Sequence, residues 1–262
     1  MTESWWLADQ ADPDLVDIWS YPAQVAWERE LWTTVMRLQA TLGLDIPSWA
    51  IRSSDALCDR RHITPEVVRR INDRERITRH DVKARLEVFC EQAGHEYHHL
   101  GMTSADVVDN GMQARMLDSM RWLEKQGHRL PAQDRYLLRG IKGAVGTQQD
   151  QLDLLGSEGA CIRLDKWLAQ ELGFPGVMVA VGQVYPRSQD LEVLSELQVA
   201  VARVPGASSS PFFALLSGFG AMAAAYAGGQ WNEGDVSTSV IRRYCLPGAW
   251  FAASAALKQG DR

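Results

Sequence analysis

"TSADVVDNGMQARMLDSMRWLEK", residues 103–125, is the stretch on which the fold turns. Val108, Met112, Met116, Met120 and Leu123 recur at three- or four-residue intervals, the spacing that lines one face of an α-helix. Thr103, followed three residues later by Asp106, is a capping-box pattern at its start. Just upstream, "HHLGMTSADVVDN" (98–110) places histidine, threonine and serine at the mouth of that helix. A helix start offers unpaired N–H groups and a positive dipole end, so this arrangement suits an anion.

Working outward, the same period returns along most of the chain. Residues 13–43 read as helical. Ser20 and Pro22 suit a helix entrance, Val25, Trp32, Val35, Leu38 and Leu42 are in helical register, and Gly43 is a stop. "TPEVVRRINDRE" (64–75) has Thr64 as N-cap and Pro65 in the first turn, and "HDVKARLEVFCEQAG" (80–94) closes on Gly94. Further helices are predicted near 144–173, 186–204, 212–229 and 246–258. "GVMVAVGQVY" (176–185) is the one β-rich run, and "VPGASSSPF" (204–212) is linker-like. The predicted class is all-α, built from long helices.

Composition sets outer bounds. The chain has 262 residues, 46% of them hydrophobic, and a formal net charge of −6. That is enough apolar material for one or two domains, and the charge argues against a nucleic-acid surface while leaving room for a local basic pocket. Cys58, Cys90, Cys161 and Cys245 stand far apart with no CxxC pair, which suggests neither a zinc site nor a disulfide framework and fits a reducing compartment. The acidic N-terminus "MTESWWLADQADPD" does not read as a secretory signal. "PFFALLSGFGAMAAAYAGGQW" (211–231) is long and apolar but lacks flanking Lys/Arg, so it reads as a buried core helix rather than a membrane span. The ten tryptophans read as core and interface packing.

Five polar clusters sit at helix ends or glycine-rich turns: "TRHDVKA" (78–84), "HHLGMTSADV" (98–107), "LRGIKGAVGTQQD" (138–150), "GQVYPRSQD" (182–190) and "QWNEGDVSTSVIRR" (230–243). Each alone has a plainer reading as a cap, an ion pair or a turn. Together Arg79, His80, His99, Thr103, Ser104, Lys142, Gln183, Arg187, Ser239 and Arg243 form the inventory for a ligand with carboxylates and a phosphate.

In this order, with "VDIWS" (16–20), these clusters resemble the adenylosuccinate lyases of the aspartase/fumarase superfamily, nearest the bacterial forms, over about residues 15–258. The resemblance implies an all-α, cytoplasmic homotetramer. Its central helices join in one bundle, each active site takes residues from three subunits, and neither a metal nor an organic cofactor is used. It implies elimination of fumarate from adenylosuccinate and from the succinylated carboxamide ribonucleotide of purine biosynthesis. Carried over by motif, Arg79, His80 and Asp81 contact the substrate, with His80 near its phosphate and carboxylate end. Thr103 and Ser104 bind a succinyl carboxylate, Gln183 binds substrate, and Ser239 and Arg243 hold the phosphate. His128, in "GHRLPAQD", matches the family's acid histidine, so His128 and His80 are the catalytic candidates. His95 and His98 take no role from the family and read as a solvated helix face. The implied organisation is an N-terminal domain over 1–101 and an incomplete central bundle over 102–262, without the family's C-terminal domain.

Departures from the pattern qualify the activity. The family's serine base lies in a loop reading GSSxMPxKxN. Here "PGASSSP" (205–211) stands in its place, and a Ser-rich linker is the plainer reading of Ser208, Ser209 and Ser210. The long helix expected after "PAQ" is missing, and so is an Arg-Tyr pair before the first long helix. Two alternatives therefore stand beside a shortened lyase. One is an impaired remnant that binds purine nucleotide or a full-length partner; the other is a superfamily lyase with another succinyl substrate.

Overall fold

A computed structural model describes residues 5–147, 149–178, 188–227 and 237–260. Among these, twelve α-helices and one short two-stranded sheet appear, and the all-α expectation holds. The helices are Trp6–Gln10 (α1), Pro13–Ile18 (α2), Tyr21–Thr41 (α3), Ser48–Asp55 (α4), Pro65–Thr78 (α5), Asp81–Ala93 (α6), Ser104–Lys125 (α7), Gln151–Leu155 (α8), Glu158–Glu171 (α9), Ser188–Ala202 (α10), Pro211–Tyr226 (α11) and Ser237–Gly260 (α12). Strands Leu138–Arg139 (β1) and Val177–Met178 (β2) pair in parallel.

Local chemistry explains most boundaries. Ser20 accepts the Ala23 N–H and Thr64 the Val67 N–H, each with a proline in the first turn, so α3 and α5 begin where a side chain replaces the missing backbone acceptor. Ser20 also splits the helical run expected from residue 13, giving α2 and α3. The run near 144–173 divides as well. Gly156 is left-handed (φ 69°) and closes α8, and Ser157 then caps α9.

The chain folds as two compact units interleaved in sequence, and α7 lends its first half to one and its second half to the other. One unit comprises residues 20–114 and 137–180. Its core includes Val25, Ile63, Val67, Ile71, Ala84 and Val88, where α3, α5 and α6 meet. Trp32 lies under it, fully buried and stacked on Phe89.

The other unit comprises residues 1–19, 115–136 and 181–262. Here α12 packs along α11. Gly248 is a contact position: a Cβ there would lie 2.5 Å from the Phe219 ring. Cys245, Leu246, Ala249, Trp250, Ala252 and Ala253 are all buried. That packing carries α12 through Pro247, although proline removes a hydrogen bond in mid-helix. The N-terminal segment is tied to α12 by Ser254 Oγ, which accepts the Asp12 N–H at 2.8 Å, and by Lys258 Nζ, which donates to the Ala11 carbonyl at 2.7 Å.

Only one face of α11 is buried. Phe212, Leu216, Phe219, Ala223 and Tyr226 point inward, whereas Leu215 and Met222 are exposed, so the helix is not enclosed on all sides as its composition suggests. Among the described residues no helix is long and apolar enough to cross a membrane. Trp32, Trp122 and Trp250 are core residues, but Trp6 and Trp49 lie on the surface.

Candidate functional site

Within the first unit, the RHD and HHLGMTS clusters approach each other at His80 and His99, which lie close enough to interact electrostatically. The two non-glycine residues with positive φ among the described residues fall one in each: Arg79 (φ 51°) and His99 (φ 66°). A side chain in this region costs on the order of 1–3 kcal/mol, and such strain gathers at functional sites. Arg79 closes α5 and is exposed. His80 then caps α6: its Nδ1 accepts the Lys83 N–H at 3.2 Å, which leaves Nε2 as the donor of the neutral ring. His99 is set the same way. Trp32 Nε1 donates to its Nδ1 at 2.9 Å. Burial, with His80 near enough to add to the effect, pushes the His99 pKa down to about 4. The site thus holds two imidazoles whose Nδ1 atoms are spent on the protein and whose Nε2–H groups remain.

Asp81 is largely occupied by its own helix. It accepts the Val82 N–H at 2.8 Å and the Arg85 guanidinium at 3.3 Å, and Arg85 reaches Glu28 at 2.5 Å in the buried interior. Neither the Thr103 nor the Ser104 hydroxyl has a hydrogen-bond partner among the described residues, so both are unspent at the start of α7.

Asp106 fixes that start. It is fully buried and accepts the N–H groups of Thr103 (2.9 Å), Gly143 (2.9 Å) and Lys142 (3.4 Å). Arg139 lies 3.2 Å from it. The Thr103–Asp106 capping pattern is therefore half realised: the acid reaches back to the cap's backbone, then extends to the RGIKG turn. Gly143 is required there, since a Cβ would sit 2.0 Å from the Gln149 carbonyl oxygen. Gln151, buried beside it, donates to the Gly101 carbonyl and accepts from Gln39. The glycine-rich motif thus braces the helix mouth from behind.

His95 and His98 are not solvated as the sequence suggested. Both are buried and share Ser54 Oγ, at 3.0 and 2.8 Å, and His98 stacks on Phe89. Desolvation pushes the His98 pKa down to about 3.

The second unit carries the remaining candidates. His128 is half-buried just past the end of α7, its N–H closing onto the Leu123 carbonyl. Ser239 and Arg243 lie four residues apart on α12 and so share a face. Arg242 turns inward instead, donating to Asp190 at 2.8 Å beside Tyr136 and Tyr226, which makes it the anchor of that helix end. Ser208 and Ser209 are exposed in a 3-10 turn. Ser210 caps α11 and donates to Gln259 at 2.6 Å. Gln183 and Arg187 lie outside the described residues.

No family model matches the chain. Among curated proteins it is similar to adenylosuccinate lyase from Schistosoma mansoni, at 26% identity over 324 aligned positions that cover 89% of this chain and 66% of that one. It is also similar to adenylosuccinate lyase from Aquifex aeolicus, at 33% identity over 38% of this chain and 22% of that one. Among solved structures, 3-carboxy-cis,cis-muconate lactonizing enzyme from Pseudomonas putida shares the fold, with a TM-score of 0.69 at 16% identity over 95% of this chain and 73% of that one.

The chain is thus similar to adenylosuccinate lyases, distantly and over part of their length, and it has the aspartase/fumarase helical-bundle fold.

It spans just under two thirds of the Schistosoma enzyme and less of the Aquifex one. The Schistosoma alignment is longer than the 262-residue chain, so that relative carries segments with no counterpart here.

Behind the helix mouth, Asp165 offers a test of the bracing. It accepts the Ile141 N–H at 2.8 Å, and burial, reinforced by Asp106, raises its pKa to about 7. The folded state therefore holds this proton more tightly than the unfolded state. Its contribution to stability is greatest at low pH and declines as pH rises from the ordinary carboxylate value of 3.8 to about 7. Asp165→Asn keeps an acceptor for Ile141 and cannot ionise. It is expected to stabilise the protein at pH 8 by on the order of 1–3 kcal/mol, a gain that fades as pH falls toward about 4. Denaturant melts across that range check it, and a destabilised variant at pH 8 would contradict it.

Proposed function

We propose that this chain binds a succinylated purine nucleotide and releases fumarate from it slowly, as a shortened C–N lyase. What supports the reading most is one observation: Arg79 and His99, the strained non-glycine positions, lie in adjoining clusters whose His80, Thr103 and Ser104 retain uncommitted donors. Hydroxyls and first-turn N–H groups at a helix start, together with the Nε2–H donors of His80 and His99, match a succinyl carboxylate and the charge that develops on it when its neighbouring carbon loses a proton. Ser239 and Arg243 take the phosphate end, and Gln183 binds substrate. The resemblance implies sites assembled from three subunits, so the two groups of residues need not belong to the same copy. The exposed apolar face of α11 fits association of copies, as a cytoplasmic homotetramer.

The reaction requires a base at the carbon, an acid at the leaving nitrogen and donors for the dicarboxylate. The donors are present and His128 is the acid. The base is the weak member, since Ser210 is engaged as a cap and Ser208 and Ser209 sit in a solvated turn. Binding without turnover is the second reading, favoured by the segments the Schistosoma relative has and this chain lacks.

Calorimetry with adenylosuccinate tests the assignment. Arg243→Ala and Thr103→Val are each expected to weaken binding by about tenfold or more, the usual scale for losing a charge-assisted contact. Unchanged affinity in both removes the assignment.

A further inference from the structure

In the second unit, α10 and the turn after α7 border an open surface cavity of about 280 Å³ that no part of the proposed lyase chemistry uses. That is near the lower limit for small-molecule pockets. Its walls are apolar: Leu130, Pro131, Val199 and Ala200. Ser195, Val199 and Arg203 line it at successive four-residue intervals. Ser195 and Val199 lie one helical turn apart on α10, and Arg203 follows the last residue of that helix, with apolar surface between the hydroxyl and the guanidinium.

The other polar groups at the rim are already matched. Arg129 donates to Glu124 at 3.0 Å and pairs with Asp134. Glu196 accepts the Ala132 N–H at 2.6 Å and pairs with Arg135 at 2.7 Å. Neither the Arg203 guanidinium nor the Ser195 hydroxyl has a hydrogen-bond or ion-pair partner among the described residues. Val199 is half exposed, an apolar side chain left at the mouth.

We propose that this cavity binds a medium-chain monocarboxylate. The carboxylate pairs with Arg203, and the hydrocarbon body lies over Val199, Ala200, Leu130 and Pro131. A single uncompensated cation, with the Glu196 carboxylate in the wall, selects one negative charge rather than the several of a nucleotide.

Octanoate is the probe, with octan-1-ol and octylamine as neutral and cationic comparators, titrated into the full chain by calorimetry. Octanoate is expected to bind saturably, octanol more weakly and octylamine not at all. Arg203→Gln is expected to lower octanoate affinity by about tenfold while leaving octanol unchanged, and Val199→Glu to abolish both. Arg203 and Val199 are surface positions, so the thermal melts of both variants should match the parent. Absent saturation with octanoate, or affinity indifferent to Arg203→Gln, overturns the proposal.

Discussion

Asp106→Ala is expected to cost about 3–5 kcal/mol of folding stability, the scale for removing one partner of a buried ion pair. The carboxylate accepts three backbone N–H groups and faces Arg139, itself buried and also 3.5 Å from Asp109. Burial pushes the Asp106 pKa up, and Arg139 and the three N–H donors pull against it. Alanine would leave the donors without their acceptor and a guanidinium less compensated in a dry interior. The Thr103 N–H lies at the proposed carboxylate site, so substrate affinity should fall as well. Urea unfolding followed by circular dichroism gives the stability. Adding Arg139→Leu to Asp106→Ala should recover part of the loss, because the orphaned charge is then gone. A single variant within about 1 kcal/mol of the parent would show that the hub does not bear on stability as described.

The second large effect is on rate. Fumarate release from adenylosuccinate is expected to run roughly 10²–10⁴-fold below that of a full-length lyase, the usual contribution of a general base. Electrostatic stabilisation by the helix mouth persists without the base, so the rate should remain above the uncatalysed one. His128→Ala should lower it further by about tenfold or more through loss of the acid. The Ser208→Ala, Ser209→Ala double variant should change it little, since both side chains are exposed in a turn. Ser210 is best left intact, because its substitution would remove the α11 cap. Steady-state assays with protein free of host lyase decide between these outcomes. A sharp drop in the double variant would place the base in that turn.

Much of this architecture was legible in single residues. Thr64–Pro65 and Gly94 marked helix ends that the structure keeps, and the Thr103–Asp106 spacing pointed to the helix start. What escaped has physical reasons. The stripe read through Val108 drifts, because four-residue steps overrun a 3.6-residue turn. Val107 is the buried residue, and further along α7 Met112, Ala114, Met116, Leu117, Ser119 and Met120 are all inside. A helix enclosed on most sides has no single stripe to read. Pro247 masked the first half of α12, where packing on α11 outweighs the local preference of proline. His98 and His99 are neighbours in sequence with opposite fates. One turns into the core to meet Ser54, and the other is held left-handed by Trp32, a distinction made by partners 44 and 67 residues away. His99 entered the ligand inventory by type alone, and the Trp32 contact is what gives it a defined donor.

As a shortened lyase, the chain is expected to grip its substrate and to be poor at the proton abstraction. Single-turnover quench with protein in excess over adenylosuccinate reads both at once: the bound fraction from trapped substrate, the chemistry from fumarate formed. Substrate is expected to be captured within the mixing time and recovered largely intact, converting only over many times the turnover time of a full-length lyase. Rapid, complete conversion, or no captured substrate at protein concentrations far above those at which related lyases saturate, would contradict it.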